Sequence, residues 1–108
     1  MNKGETLYAA HLEALRAAGR ISAWWFELLS IRLADNTHYR PDFLVMREDG
    51  TLEIHEVKGR KKGKDGKADT FWAEEDAWLK LKVVAEHSPI PVTVVWPRRE
   101  GGWDSLTV

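Results

Sequence analysis

Two carboxylates and a lysine, Asp42, Glu56 and Lys58, carry the most specific chemistry that this sequence offers. They lie on two apolar stretches, Tyr39 to Arg47 and Thr51 to Lys58, separated by Glu48-Asp49-Gly50. A three-residue loop ending in glycine is a favoured hairpin connection, because its last position takes a left-handed φ. Pairing Arg47 with Thr51 across that loop sets Leu44 opposite Ile54, Met46 opposite Leu52 and Asp42 opposite Glu56. Opposed residues hold their Cβ atoms about 4.5–5.5 Å apart, so both carboxylates can reach one cation. Held that close, they repel unless something positive stands between them. A hard divalent ion with oxygen ligands, Mg2+ with Mn2+ as its substitute, suits the pair.

Lys58 follows Glu56 by two residues and therefore shares its face of the strand. A Glu-x-Lys triplet on a strand is commonly a solvated face. Here it continues the apolar line of Leu52 and Ile54, and charges that prolong an apolar face need a reason. A divalent cation lowers the pKa of water and neutralises phosphate charge, and a neighbouring lysine can orient that water. Together these groups have the equipment to hydrolyse a phosphodiester.

The elements that must position them follow from periodicity. A first helix is predicted from about Lys3 to Ala18, with Glu5, Tyr8, Leu12 and Leu15 on one stripe and Gly19 as its stop. The apolar stretch from Ile21 to Leu33 reads as a strand with a break near Glu27, and Asp35-Asn36-Thr37 as a turn. The segment from Gly59 to Asp69 reads as a mobile loop, and Thr70 to His87 as a second helix ended by Pro89 and Pro91. Pro91 to Trp96 is β-branched and predicts a buried strand, while the Gly-rich tail from Pro97 carries no clear assignment. The expected architecture is one α/β domain over residues 1–108, a mixed central sheet flanked by helices in the order α-β-β-β-α-β.

A net charge of −1 over 108 residues argues weakly against a polyanionic partner, but the average hides a local bias. Lys58, Arg60, Lys61, Lys62, Lys64 and Lys67 stand against the single acid Asp65 in that stretch. The field over one face decides binding, not the sum. Arg60, Lys61, Lys62, Lys64 and Lys67, with Lys80 and Lys82 on the second helix, are the candidate nucleic-acid contacts. No cysteine is present, which excludes disulfides and thiolate zinc sites. The opening Met-Asn-Lys-Gly-Glu is unlike a signal peptide, and no apolar run is long enough to cross a bilayer. A cytoplasmic protein with no membrane partner is expected.

Tyr39-Arg40-Pro41-Asp42-Phe43-Leu44-Val45, then Asp49-Gly50, then His55-Glu56-Val57-Lys58-Gly59, resembles the PD-(D/E)xK nuclease superfamily. More narrowly it resembles small phage-encoded nucleases of the Holliday-junction resolvase type, over about Glu5 to Trp96. The resemblance implies a restriction-endonuclease-like domain in which Asp42, Glu56 and the Val57 carbonyl bind Mg2+ and Lys58 supports the nucleophile. It also implies a glutamate on the first helix near the metal, for which Glu5 is the candidate. Asn2 and Glu5 have the spacing of a capping box as well, so Glu5 stands as a site residue or a helix cap.

The implied function is a structure-selective DNA endonuclease resolving four-way junctions, in a host cytoplasm if phage-encoded. Cutting two symmetry-related strands requires a twofold homodimer, with Trp24, Trp25 or Trp103 as its candidate apolar patch. The alternatives are a nicking or repair nuclease of the same chemistry, and a catalytically silent DNA-binding module.

Overall fold

A computed structural model describes residues 1–108. Helix α1 (Lys3–Ala17) starts where Asn2 accepts the Glu5 N–H and Glu5 returns a bond to the Asn2 N–H. It stops at Gly19, whose φ of 74° no β-carbon-bearing residue adopts cheaply. Strand β1 (Ile21–Phe26) follows, then the hairpin of β2 (Ile31–Ala34) and β3 (Thr37–Tyr39), then β4 (Phe43–Arg47) and β5 (Leu52–Val57). A two-rung ribbon of β6 (Arg60–Lys61) and β7 (Thr70–Phe71) leads to helix α2 (Glu75–His87). Strands β8 (Val92–Pro97) and β9 (Trp103–Thr107) close the chain.

The central sheet runs β1-β4-β5-β8-β9. Only β5 and β8 are parallel, with α2 as the crossover that a parallel pair requires. The result is an α/β domain with a mixed sheet, as expected, but the element order is not α-β-β-β-α-β. Four departures account for the difference. The stretch Ile21–Leu33 breaks at Glu27 (φ 50°), as expected, but its second part is not a continuation of the strand: Ile31 begins a separate hairpin over the sheet. Tyr39 belongs to that hairpin and not to β4, from which Arg40-Pro41 separates it. Thr70 and Phe71 pair with Lys61 and Arg60, which delays α2 to Glu75. The tail pairs antiparallel with β8 after a turn through Gly101 and Gly102, both at positive φ.

Alternation sorts the interior strands between two cores. Phe43, Val45 and Val95 meet Tyr8, Ala9 and Leu12 of α1 on one face. Leu44, Ile54, Val92, Val94 and Trp96 meet Leu81 and Val84 of α2 on the other, with the β2–β3 hairpin and Phe71 packed at the margin. β4 and β8 are buried on both faces and read as continuous apolar runs for that reason. Trp24, Trp25 and Trp103 are half-buried against these cores. The exposed tryptophan is Trp72. Neither helix is long and apolar enough to cross a membrane.

Candidate active site

The hairpin fixes the site. Phe43 pairs with His55, Leu44 with Ile54, Val45 with Glu53 and Met46 with Leu52, the register read from the loop. Gly50 sits at φ 86° and donates to the Arg47 carbonyl, as the turn demands. One step beyond the last rung, Asp42 and Glu56 interlock. The Asp42 N–H donates to Glu56 Oε1 at 2.9 Å, and the Val57 N–H donates to Asp42 Oδ2 at 2.8 Å. The Asp42 carbonyl accepts the Glu27 N–H at 2.9 Å, and Pro41 before it is fully buried. Asp42 is thus fixed through its backbone N–H, its carbonyl and its carboxylate, so it is preorganised before any ligand arrives.

Glu56 is 6% exposed, the one charged residue in the buried interior. Lys58 Nζ stands 3.7 Å from its Oε2, and the Lys58 N–H continues the parallel ladder to the Val95 carbonyl at 2.9 Å. Burial pushes the Glu56 carboxyl up, against the opposing pull of the Asp42 N–H and Lys58. Burial, followed by the Glu56 charge, raises Asp42 from its ordinary 3.8 to about 7. Glu5 comes close enough to push Asp42 further up, while its Oε1 accepts the Asn2 N–H at 2.7 Å. Glu5 is therefore a helix cap that also faces the carboxylate pair.

The balance of charge at this end of the sheet is negative and under-compensated. Two free oxygens remain, Asp42 Oδ1 and, apart from Lys58, Glu56 Oε2. The Tyr39 hydroxyl is buried near enough to Glu56 for that charge to raise its pKa, but lacks the geometry of a hydrogen bond. The Val57 N–H points toward β4, so its carbonyl points the same way. The residue facing it there is Pro41, which has no N–H to give. No three His, Cys, Asp or Glu side chains converge as a cation cage. The donors present are two carboxylates and a carbonyl. That set suits Mg2+, which keeps several waters and takes only one or two carboxylates from protein.

The basic segment beside the site is tied together at Asp69, which accepts the Gly63 N–H at 2.9 Å and pairs with Arg60 at 3.8 Å and Arg99 at 3.2 Å. Arg60 is thereby partly neutralised, whereas Lys61, Lys62, Lys64 and Lys67 project into solvent without ion pairs. Lys80 is exposed on α2. Lys82 is exposed on α2 as well, beside Ala85, Glu86 and Val108.

On the α1 face is a polar chain with no clear sequence signal. Tyr8 Oη lies 2.6 Å from His55 Nδ1, His55 Nε2 lies 2.9 Å from Glu53 Oε1, and Arg47 donates to Glu53 Oε2 at 2.8 Å. The carboxylate makes Nε2 the protonated nitrogen, so Nδ1 accepts from the tyrosine. Burial holds the His55 pKa down and the Tyr8 pKa up. This chain locks α1 to β5 and so sets where Glu5 stands. His55 is one residue from Glu56 and so takes the opposite sheet face; its partners are visible only in three dimensions.

No protein-family model matches the chain, and no curated protein or solved structure matches it significantly.

Proposed function

We propose that this chain is a metal-dependent DNA endonuclease of the PD-(D/E)xK kind with a restriction-endonuclease-like domain, resolving four-way junctions as a twofold homodimer. The observation that carries the reading is the interlocked Asp42–Glu56 pair, buried and short of positive charge, with Lys58 beside it and unpaired lysines next in the chain. Asp42, Glu56 and the Val57 carbonyl would hold Mg2+. That ion supplies Lewis acidity and a lowered water pKa when bound.

The chain's own residues do the rest. Lys58, at 3.7 Å from Glu56, is placed to hold the attacking water and to meet the charge that develops on the phosphate. The backbone bonds of Asp42 keep the carboxylates aligned, so no reorganisation is needed during the reaction. Glu5 adds negative charge beside Asp42 and favours the metal-bound form. Lys61, Lys62, Lys64 and Lys67 neutralise phosphates of the strand passing the site. Two copies are required because each monomer has one such site and a junction needs two symmetry-related cuts.

A four-way DNA junction incubated with Mg2+, beside a linear duplex of the same sequence, tests the assignment. Paired nicks near the branch, with the linear duplex spared, are expected. Equal cutting of both would remove the resolvase claim and leave a nicking or repair nuclease. A silent DNA-binding module is the second reading, and binding without cutting under several metals would favour it.

A further inference from the structure

The β6–β7 ribbon presents one feature that the carboxylate site does not use. Alternation along β7 and the residue after it turns Phe71 inward, 5.6 Å from the Trp78 ring and 5.1 Å from the Trp96 ring. Trp72 is thereby turned outward and left 61% exposed. The other large hydrophobic side chains this exposed are aliphatic or Met1, so Trp72 is the one aromatic ring given to solvent. Its position is not loose. The Trp72 N–H donates to the Gly59 carbonyl at 2.9 Å, one residue past Lys58, and Lys61 Nζ lies 4.7 Å from the ring centroid.

An indole whose backbone is held at Gly59 offers an open aromatic face that a planar group can cover. The surroundings select the occupant. Lys61, Lys62, Lys64 and Lys67 are exposed and make no ion pairs, Lys61 lying over the ring itself, so the surroundings favour a negatively charged partner. A planar apolar surface amid unpaired lysines matches the two faces of a nucleic acid strand, base and phosphate. Bases within a duplex are already stacked on their neighbours, so only an unpaired base can lie on the ring.

We infer that Trp72 is a stacking platform for an unpaired base of a DNA strand whose phosphates run along the Lys61–Lys67 segment toward Lys58. The inference rests on the nuclease reading only in taking the strand to be DNA; the stacking itself needs no metal and no cleavage. It gives the strand that passes Lys58 a substrate feature, an exposed unpaired base, which a closed duplex does not offer.

Fluorescence anisotropy in EDTA, with labelled oligothymidylate of about 16 nucleotides and a blunt duplex, separates the outcomes. Trp72→Ala should weaken oligothymidylate binding about 5- to 150-fold while changing duplex binding little. Trp72→Phe should restore much of the loss, since a phenyl ring still stacks. The salt dependence should be unchanged in Trp72→Ala but shallower in Lys61→Ala/Lys62→Ala, by about 0.7 in slope for each phosphate no longer neutralised. Unchanged oligothymidylate affinity in Trp72→Ala, or an equal loss on duplex, would overturn the inference. The same proteins assayed for cleavage with Mg2+ keep the two ideas apart. Wild type that binds through Trp72 but cuts nothing sinks the nuclease reading alone. Wild type that cuts while Trp72→Ala binds normally sinks the stacking inference alone.

Discussion

Asp42→Asn removes one charge from the buried pair while keeping its shape, and it should stabilise the metal-free protein. Folding raises the Asp42 pKa from 3.8 to about 7. The unfolded chain therefore gives up this proton first, so stability is fully present below the lower value, falls as pH rises, and levels off above the upper one. At about 1.4 kcal/mol for each tenfold change in proton affinity, the full penalty is on the order of 4 kcal/mol. Asparagine has no such proton. Its carbonyl can still accept the Val57 N–H, now at 2.8 Å from Oδ2, but as a neutral acceptor it returns about 1–2 kcal/mol of the gain. The net expectation is about 2 kcal/mol in favour of the variant at pH 8, or on the order of 10 °C in midpoint for a domain of this size. Thermal and urea denaturation in EDTA, from about pH 4 to pH 8, should show the two proteins converging in acid and separating as pH rises. Adding Mg2+ should reverse the order, stabilising wild type by mass action and leaving Asp42→Asn unmoved. A variant less stable than wild type at pH 8 in EDTA, or a gap that ignores pH, would refute the electrostatic reasoning.

Tyr8→Phe keeps the ring packed against Phe43 and Trp103, at centroid distances of 5.5 and 4.8 Å, but strands His55 Nδ1. A loss of about 1–3 kcal/mol is expected in urea titrations. Because the folded His55 pKa lies below its ordinary 6.5, wild type loses stability as pH falls through that region, and freeing Nδ1 should make that loss shallower. Gly63→Ala would place a Cβ 2.1 Å from the Lys67 carbonyl oxygen and 2.5 Å from that of Ala68, both backbone. It should disrupt the basic segment and weaken DNA binding in anisotropy titrations, whereas Gly59→Ala, with open space around it, should bind like wild type.

The hairpin was the most legible part of the chain. Gly50 at the end of a three-residue loop admits one register, and that register alone brings Asp42, Glu56 and Lys58 together. The helix caps were legible for a similar reason, since Asn2 and Glu5 satisfy each other's backbone donors within one turn. What escaped has physical causes. The break at Glu27 and the turn at Asp35-Asn36-Thr37 were legible, but Thr37 to Tyr39 is too short to show a period, so its pairing with Ile31 to Ala34 as a separate hairpin was not. The β6–β7 ribbon has two residues per strand, too few to show a period, and its pairing overrides the helical pattern of Thr70 to Ala73. That override hid Trp72, which the helical reading gave no reason to expose. Spacing could show Glu5 only as a cap, because its nearness to Asp42 depends on how α1 packs on the sheet.

The central claim is that Asp42, Glu56 and Lys58 form one metal-dependent hydrolytic site, and nicking of supercoiled DNA tests it most directly. Wild type, Asp42→Asn and Lys58→Met would be compared in Mg2+ and in EDTA, after confirming that each variant folds. The account predicts nicking by wild type in Mg2+ alone, with both variants reduced by at least about 100-fold. Nicking that survives EDTA, or that persists in Asp42→Asn at the wild-type rate, would contradict it.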